Sequence, residues 1–229
     1  MEEFGDIEIP EIVPVMTLKD TVLFPHAIMP LFVFEERYRE MLQDILKSHR
    51  LFAIFNQSRK DSDEDFEEPP AEMGTLGIVR ASHENPDGTS NLALQGIVRI
   101  RLLDITQENP YRLIRAEPCV IEEKVDNKLA NARSRKIIIN LLSEQPELTN
   151  GLPEEYMQFL YSLKQPSSFL DVAIHSLCRC PRMKQRLLET LSIRDRFDLF
   201  KKFLQRERLK LDLFNKLQGS TRDSEISLN

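Results

Sequence analysis

The sequence predicts an α+β fold in which a mostly β first half is followed by an all-helical second half. Before residue 123 apolar and polar residues alternate, and period two is typical of strands that bury one face. After residue 123 the apolar residues recur with the 3.6-residue period of helices. Segregation of strands from helices along a chain implies an α+β fold or two subdomains.

The strongest strand prediction covers residues 91–104. There the apolar side chains alternate with polar ones, and Gly96 falls within the apolar series, where it predicts a bulge or bend. Shorter strands are predicted at 13–18, 28–33, 51–55, 75–81 and 111–121. We expect Pro30 to break the second of these strands and Pro118 to place the last one at a sheet edge, because proline lacks a ladder donor.

One helix is predicted inside the β half and several after it. The first begins at Phe34, with an apolar face that also contains Tyr38, Met41, Leu42 and Ile45. The later helices are predicted at 127–143, after Pro153 as a first-turn residue, after Ser168 as a cap, from Pro181, and from Arg194 to Leu217. Asp171, three residues after Ser168, is interpreted as the partner in a capping box.

The same patterns predict the domain organisation. We expect a β subdomain at 10–123, a helical bundle at 124–217, and flexible tails at 1–9 and 218–229. Residues 61–68 contain six acids and are followed by two prolines. Mutual repulsion and scarcity of apolar side chains predict a mobile acidic loop at about 57–73.

Composition narrows the classes of function. The net charge of −6 argues against a general nucleic-acid binder, because phosphate affinity depends on clustered Lys and Arg. Residues 1–11 carry five acids and no base, unlike a signal peptide, and no apolar run approaches the length of a membrane span. Three cysteines form no disulfide framework. We therefore expect a cytoplasmic protein that does not bind membranes.

The sequence contains no recognisable catalytic or cofactor-binding motif. Its seven glycines are scattered, so neither a phosphate-binding loop nor a dinucleotide fingerprint is present. No histidine stands in a nucleophile–base motif. His175, Cys178 and Cys180 have spacing that could contribute to a metal site, but a free cysteine is more often a buried apolar residue. We predict no enzyme activity, no cofactor and no metal.

Several motifs resemble the amino-terminal substrate-recognition domain of the Lon protease family. They are Val22-Leu-Phe-Pro25, Pro30-Leu31, Phe34-Glu-Glu-Arg-Tyr38, Leu94-Gln-Gly-Ile-Val-Arg99 and Phe169-Leu-Asp-Val-Ala173. The similarity extends over roughly residues 10–215. It implies a PUA-like pseudo-barrel followed by a helical bundle. The family's ATPase and serine–lysine protease segments have no counterpart in the 229 residues, which implies a standalone substrate-binding domain without proteolytic activity.

The resemblance favours a non-enzymatic protein- or peptide-recognition module that acts in protein quality control. The predicted partners are unfolded or specific client proteins, with an ATP-dependent protease as a further candidate, and an oligomer is compatible with the sequence. The predicted contact surface lies in the apolar stretch around Pro25 and Pro30. Its candidate residues are Phe24, Pro25, His26, Ile28, Met29, Pro30 and Phe32.

An RNA- or small-ligand-binding regulator is the alternative, because PUA-like folds elsewhere bind RNA. Residues 179–216 contain twelve Lys or Arg and five Asp or Glu. Such a run is usually a solvated helix face. No pattern of aromatic residues interleaved with basic ones accompanies it on the strands, although base stacking requires one.

Overall fold

A computed structural model describes residues 9–57, 69–119, 121, 128–149 and 151–226. The strands within these residues are β1 (Ile12–Leu18), β2 (Ile28–Val33), β3 (Leu51–Asn56), β4 (Met73–Glu84), β5 (Ser90–Gln107) and β6 (Leu113–Pro118). The helices are α1 (Glu36–Leu46), α2 (Lys128–Glu144), α3 (Glu154–Ser162), α4 (Pro166–Leu177), α5 (Pro181–Glu189) and α6 (Ile193–Ile226), with a 3-10 helix at Pro146–Thr149. The predicted α+β class is confirmed.

Five of the strands close into a ring. Their order is β5-β4-β3-β1-β6, and β6 pairs again with β5. The pairing of β1 with β3 is parallel, and the other pairings are antiparallel. Strand β5 closes the ring because its 18 residues are long enough to pair with β4 in the first part and β6 in the last. The result is the predicted pseudo-barrel, with β2 added outside the ring on β5.

The interior of the ring is filled by aliphatic side chains and one aromatic ring. This core consists of Val13, Val15, Leu51, Ala53, Phe55, Leu76, Ile97, Ile100 and Ile114. All six residues of β3 are buried, which explains its continuous apolar sequence. The register between β4 and β5 shifts beside Gly96, because Leu76 pairs with Val98 whereas Gly77 pairs with Gly96. The predicted irregularity at Gly96 is therefore present.

The two proline-based predictions for the sheet are wrong. Strand β6 is not an edge strand, because it pairs with both β1 and β5, and Pro118 is its last residue. Strand β2 continues through Pro30, and in the described part of the chain it pairs only with β5. An edge strand tolerates proline because half of its backbone groups need no ladder partner.

Helix α1 has the predicted apolar face but begins two residues later than Phe34. Tyr38, Met41, Leu42 and Ile45 are buried, as the spacing predicts. Phe34 lies before the helix and is exposed, so it does not belong to that face.

Contacts divide the chain into two compact units. Unit 1 contains residues 1–121 and 171–191, and unit 2 contains residues 122–170 and 192–229. The sequence predicts a different division, at the change from strands to helices. That prediction assigns residues 171–191 to the helical bundle. The last half of α4 and all of α5 instead group with the strands.

The helix ends also differ from the predictions in places. Helix α4 begins at Pro166, so Ser168 lies inside its first turn and Asp171 belongs to no capping box. Pro153 precedes α3 at its N-cap position, whereas Pro181 opens α5 as predicted. Helix α6 extends to Ile226, into the stretch for which the sequence predicts a tail.

The predicted acidic segment at 61–68 and residues 1–8 and 227–229 of the predicted tails lie outside the described residues. Met73, placed at the end of the predicted loop, is the first residue of β4. Among the helices that the structure describes, none combines the length and apolarity that a bilayer crossing requires.

Candidate functional site

The loop before β2 is packed against Gly96 of β5. The His26 amide donates a hydrogen bond to the Gly96 carbonyl, and the Gly96 amide donates to the Ala27 carbonyl, both at 2.9 Å. A Cβ atom at position 96 would collide with the carbonyl oxygen of Phe24. Only glycine therefore allows the backbone of this loop to approach β5 so closely.

The seven predicted contact residues divide between the interior and the surface. Phe24, Pro25 and Met29 are buried, so their side chains offer no surface to a partner. His26 is partly buried and has a positive φ of 65°. The remaining three are exposed: Ile28, Pro30 and Phe32.

The exposed residues lie on one face of β2 and continue into Phe34. Alternate side chains of a strand point to opposite sides, and Met29 and Val33 on the other side are buried. Ile28, Phe32 and Phe34 are 59%, 55% and 61% exposed, respectively. We call Ile28, Pro30, Phe32 and Phe34 the β2 patch. The sequence did not identify Phe34 as a member, because its spacing to Tyr38 also fits a helix face.

The β2 patch is a continuous apolar surface. The rings of Phe32 and Phe34 stack with centroids 6.0 Å apart and an interplanar angle of 27°. In register with Ile28, Pro30 and Phe32, strand β5 places Gln95, Ala93 and Asn91. With two half-exposed aromatic rings, the patch presents on the order of 300 Å² of apolar surface. The largest apolar patch on a monomer commonly has about this size and is often functional.

The backbone edge of β2 is less suited to binding than its side chains. The Gly96 amide donates to the carbonyl of Ala27, one residue before β2. Because hydrogen-bonded pairs alternate along an antiparallel ladder, the odd-numbered residues of β2 bond to β5 and the even-numbered ones face away. Pro30 is the central even-numbered residue and has no amide hydrogen. An added strand would lose its middle hydrogen bond there.

A buried ion pair lies in unit 1 behind this surface. Arg99 donates two hydrogen bonds to the carboxylate of Asp171, at 2.8 and 2.6 Å, and its Nε–H donates to the Leu188 carbonyl at 3.0 Å. Both charged side chains are almost completely buried. The guanidinium also lies 5.7 Å from the ring centroid of Phe24. Phe24, Arg99 and Asp171 come from three of the motifs that carry the family resemblance, so these motifs meet at one place in the core.

His175 adjoins the same cluster, at 6.5 Å between its ring centroid and that of Phe24. The pKa of His175 is lowered to about 4, chiefly by burial and also by the positive charge of Lys184, against a smaller opposing effect of a hydrogen bond to the backbone of Val22. Its Nδ1 atom is buried without a hydrogen-bond partner. Burial also lowers the pKa of Lys184. His175 is therefore neutral at physiological pH.

The three residues with metal-like spacing have different environments. Cys178 is buried and its Sγ lies 3.6 Å from the carbonyl oxygen of Cys180, whose own side chain is exposed. Across the described ranges, no group of three or more His, Cys, Asp or Glu has a geometry that could hold a metal ion.

The architecture is of α+β class, with a closed β-ring, an added edge strand and an exposed apolar face on that strand. The chain belongs to the family described as the ATP-dependent protease La (LON) substrate-binding domain, whose pattern it matches over residues 12–206. It is 28% identical over 220 residues to a Lon protease of Dictyoglomus thermophilum and 26% identical over 219 residues to one of Desulfosudis oleivorans. Each alignment covers 94% of this chain.

This chain spans only about a quarter of the length of those relatives, 27% and 26% respectively. Solved structures share its fold. The N-terminal domain of the Lon protease of the Mycobacterium avium complex superposes with a TM-score of 0.65 and 16% identity, covering 85% of this chain and 98% of that domain. A Lon N-terminal domain protein from Xanthomonas campestris gives a TM-score of 0.57 and 19% identity, covering 83% and 97%.

Proposed function

We propose that this chain is a recognition module that binds apolar segments of non-native proteins through the β2 patch. The observation that carries this proposal is the exposed, stacked pair Phe32 and Phe34 beside Ile28 on the outer strand of the sheet. Membership of a substrate-binding family supports it. Unfolded proteins differ from folded ones chiefly in the apolar side chains that they expose, so an apolar contact surface suits them.

The geometry of the patch favours weak and adaptable binding. Its area is well below the roughly 800 Å² that each partner buries in a standard stable interface. Proline at the centre of the patch restricts the backbone before binding, which lowers the ordering cost of the complex. A rapidly exchanging contact with many different sequences is the expected behaviour.

The proposed role is non-enzymatic. The similarity is to a substrate-binding domain and covers about a quarter of each protease relative, so their catalytic activity is not transferred to these residues. An ATP-dependent protease that receives the bound clients is the partner that fits this role. A reducing compartment such as the cytoplasm fits the three cysteines, none of which forms a disulfide bond in the described structure.

The alternative of an RNA- or small-ligand-binding regulator has weaker support. A depression of about 370 Å³ at the end of β5 is lined by residues 104–108, and these include the carboxylates of Asp104 and Glu108. Negative charge at such a site opposes the binding of phosphate groups. The β2 patch is apolar and attracts phosphate no better.

Two substitutions that place a negative charge on the β2 patch test the proposal: Ile28→Asp and Phe32→Asp. Binding of fluorescein-labelled, reduced and carboxymethylated α-lactalbumin is measured by fluorescence polarisation. We expect each variant to fold, because both side chains are exposed, and to bind at least about tenfold more weakly, since a charge placed in an apolar contact must be desolvated. Leu103→Asp is the matched control, since Leu103 is a similarly exposed apolar residue on β5.

Met29→Asp distinguishes a loss of folding from a loss of client binding. Met29 lies on the buried side of β2, so an aspartate there should unfold unit 1 rather than weaken binding by a folded protein. Equal affinity of wild type, Ile28→Asp and Phe32→Asp would exclude the β2 patch as the recognition surface. Equal weakening by Leu103→Asp would also contradict the proposal, because it would show that any added charge has the same effect.

A further inference from the structure

The second half of α6 exposes a row of leucines, which we call the leucine ridge. Leu209, Leu213 and Leu217 are each more than half exposed. They are spaced four residues apart, so on a helix they lie in one row. In the first half of α6 the opposite side of the helix is buried, with Phe197, Phe200 and Leu204 in the core of unit 2.

A row of basic side chains runs beside the leucine ridge. Lys202, Arg206 and Lys210 are exposed and again spaced by four, and Phe214 continues their row with more than half of its surface exposed. We call this row the basic ridge. Lys210 forms an ion pair with Glu207 at 2.6 Å, but an exposed pair of this kind is weak and easily exchanged.

We propose that this face of α6 binds an acidic amphipathic helix of a partner protein. The leucine ridge would pack against apolar residues of the partner helix, and the basic ridge would pair with its carboxylates. Helices pack through rows of residues spaced by four, so two adjacent rows define both an apolar contact line and a charged flank. This surface belongs to unit 2, whereas the β2 patch belongs to unit 1.

Charge distinguishes this occupant from a second copy of the chain. In an antiparallel pair of identical helices, the same flanks face each other, so the basic ridge would face itself. In a parallel pair the basic ridge would face the row on the other side of the leucines. That row contains Arg208, Asp212 and Lys216, so its net charge is also positive. Both arrangements place like charges together, which opposes self-association.

The pattern of the apolar surface distinguishes it from a membrane-binding helix. A helix that lies in a lipid interface has a continuous apolar face, with its basic residues on the opposite, polar face. The three leucines span about 80° at 100° per residue and Phe214 widens the arc to about 140°, but Lys202, Arg206 and Lys210 lie within that arc and interrupt it. Apolar and basic rows that alternate on one face fit a partner helix better.

Designed peptides test this inference. The probe is a fluorescein-labelled helical peptide with leucines spaced by four and glutamates in the flanking row. Two comparison peptides carry lysines in place of the glutamates, or the same residues in scrambled order. We expect the acidic helix to bind at least about tenfold more tightly than either comparison peptide, with an affinity that falls as salt rises.

Variants of α6 identify the surface. Arg206→Glu should weaken binding of the acidic peptide about tenfold and improve binding of the lysine peptide, and Leu213→Asp should weaken both. The matched controls on α2 are Lys136→Glu and Ile137→Asp, which make the same changes at exposed positions of the same unit and should leave affinity unchanged.

Several outcomes would overturn the inference. The inference is wrong if the protein binds the acidic and scrambled peptides equally well. It is also wrong if Arg206→Glu and Leu213→Asp leave the affinity for the acidic peptide unchanged. The surface would be assigned to lipid if the protein floated with phosphatidylserine vesicles and did not bind the acidic peptide. Leu213→Asp should then abolish the flotation. A concentration-dependent dimer in light scattering, lost in Leu213→Asp, would assign it to a second copy.

Discussion

At the scale of single residues, the most demanding feature of unit 1 is the buried ion pair of Arg99 and Asp171. Removing two charges from water is costly, and the pair offsets this cost only through its two-pronged geometry and the further hydrogen bond to Leu188. Loss of one partner leaves the other charge buried and uncompensated. Replacing either residue alone is therefore more costly than the small net contribution of the intact pair to stability would suggest.

Arg99→Met should lower the free energy of unfolding by about 3–5 kcal/mol, because it removes the positive charge and the two hydrogen bonds that Arg99 gives to the buried Asp171 carboxylate. Urea denaturation followed by circular dichroism measures the change. Arg101→Met, on the same strand but at an exposed position, should cost less than about 0.5 kcal/mol. If the two variants were equally stable, the ion pair would have no structural role.

His175 should make stability depend on pH. Burial lowers the pKa of His175 from its ordinary value of 6.5 to about 4, so between these values the unfolded chain binds a proton that the folded protein does not. The neutral side chain is fully compatible with folding above pH 6.5. Stability is lost progressively as the pH falls from about 6.5 to about 4, and in total this amounts to roughly 3 kcal/mol.

His175→Gln should therefore lose roughly 2 kcal/mol less stability than wild type between pH 7 and pH 5. Urea denaturation at the two pH values measures this difference, and it cancels the contributions of the carboxylates, which both proteins share. His83→Gln, a change at an exposed histidine, serves as the control. An unchanged pH dependence in His175→Gln would show that His175 is not held neutral.

At the scale of elements, Gly96 joins the loop before β2 to the barrel. Its missing side chain allows the Phe24 carbonyl to approach, and the resulting backbone hydrogen bonds fix where β2 begins. Gly96→Ala should lower stability by about 1–3 kcal/mol, because a backbone oxygen cannot move aside cheaply. Thermal melting measures the loss. A melting temperature as high as that of Ala81→Ser, a small change at an exposed site on β4, would contradict this account.

Local sequence patterns predict where the strands and helices lie along the chain. They do not predict which strands pair with one another in the sheet. The alternation in β5 and the 3.6-residue period after residue 127 predict the elements correctly, because burial of one face imposes both patterns. Proline was misread in β6 because the number of pairing partners of a strand is a property of the whole sheet. Asp171 resembled a local cap, although its partner Arg99 is 72 residues away.

The candidate site was only partly predictable for a related reason. The sequence identified the stretch that contains β2, because its apolar residues and prolines are unusual together. Successive residues of β2 are all apolar or proline, so no alternation shows which side is buried. Only the pairing of β2 with β5 and the position of the 24–27 loop determine that Ile28 is exposed and Met29 is buried.

At the scale of the whole molecule, two surfaces in two units carry the proposed interactions. Unit 1 contributes the apolar β2 patch, and unit 2 contributes the leucine and basic ridges of α6. The first suits unfolded chains of varied sequence, and the second suits one helix of defined charge. A module that binds both clients and a fixed partner would require two such surfaces of different chemistry.

The most direct test of the central claim is an NMR titration of the protein with reduced and carboxymethylated α-lactalbumin. Backbone amide shifts report which residues sense the client. The account predicts that the largest shifts fall at residues 28–34 and at the facing residues 91–95 of β5, with little change at Leu103. Large shifts confined to other residues, with β2 unaffected at saturation, would contradict the claim that this face recognises clients.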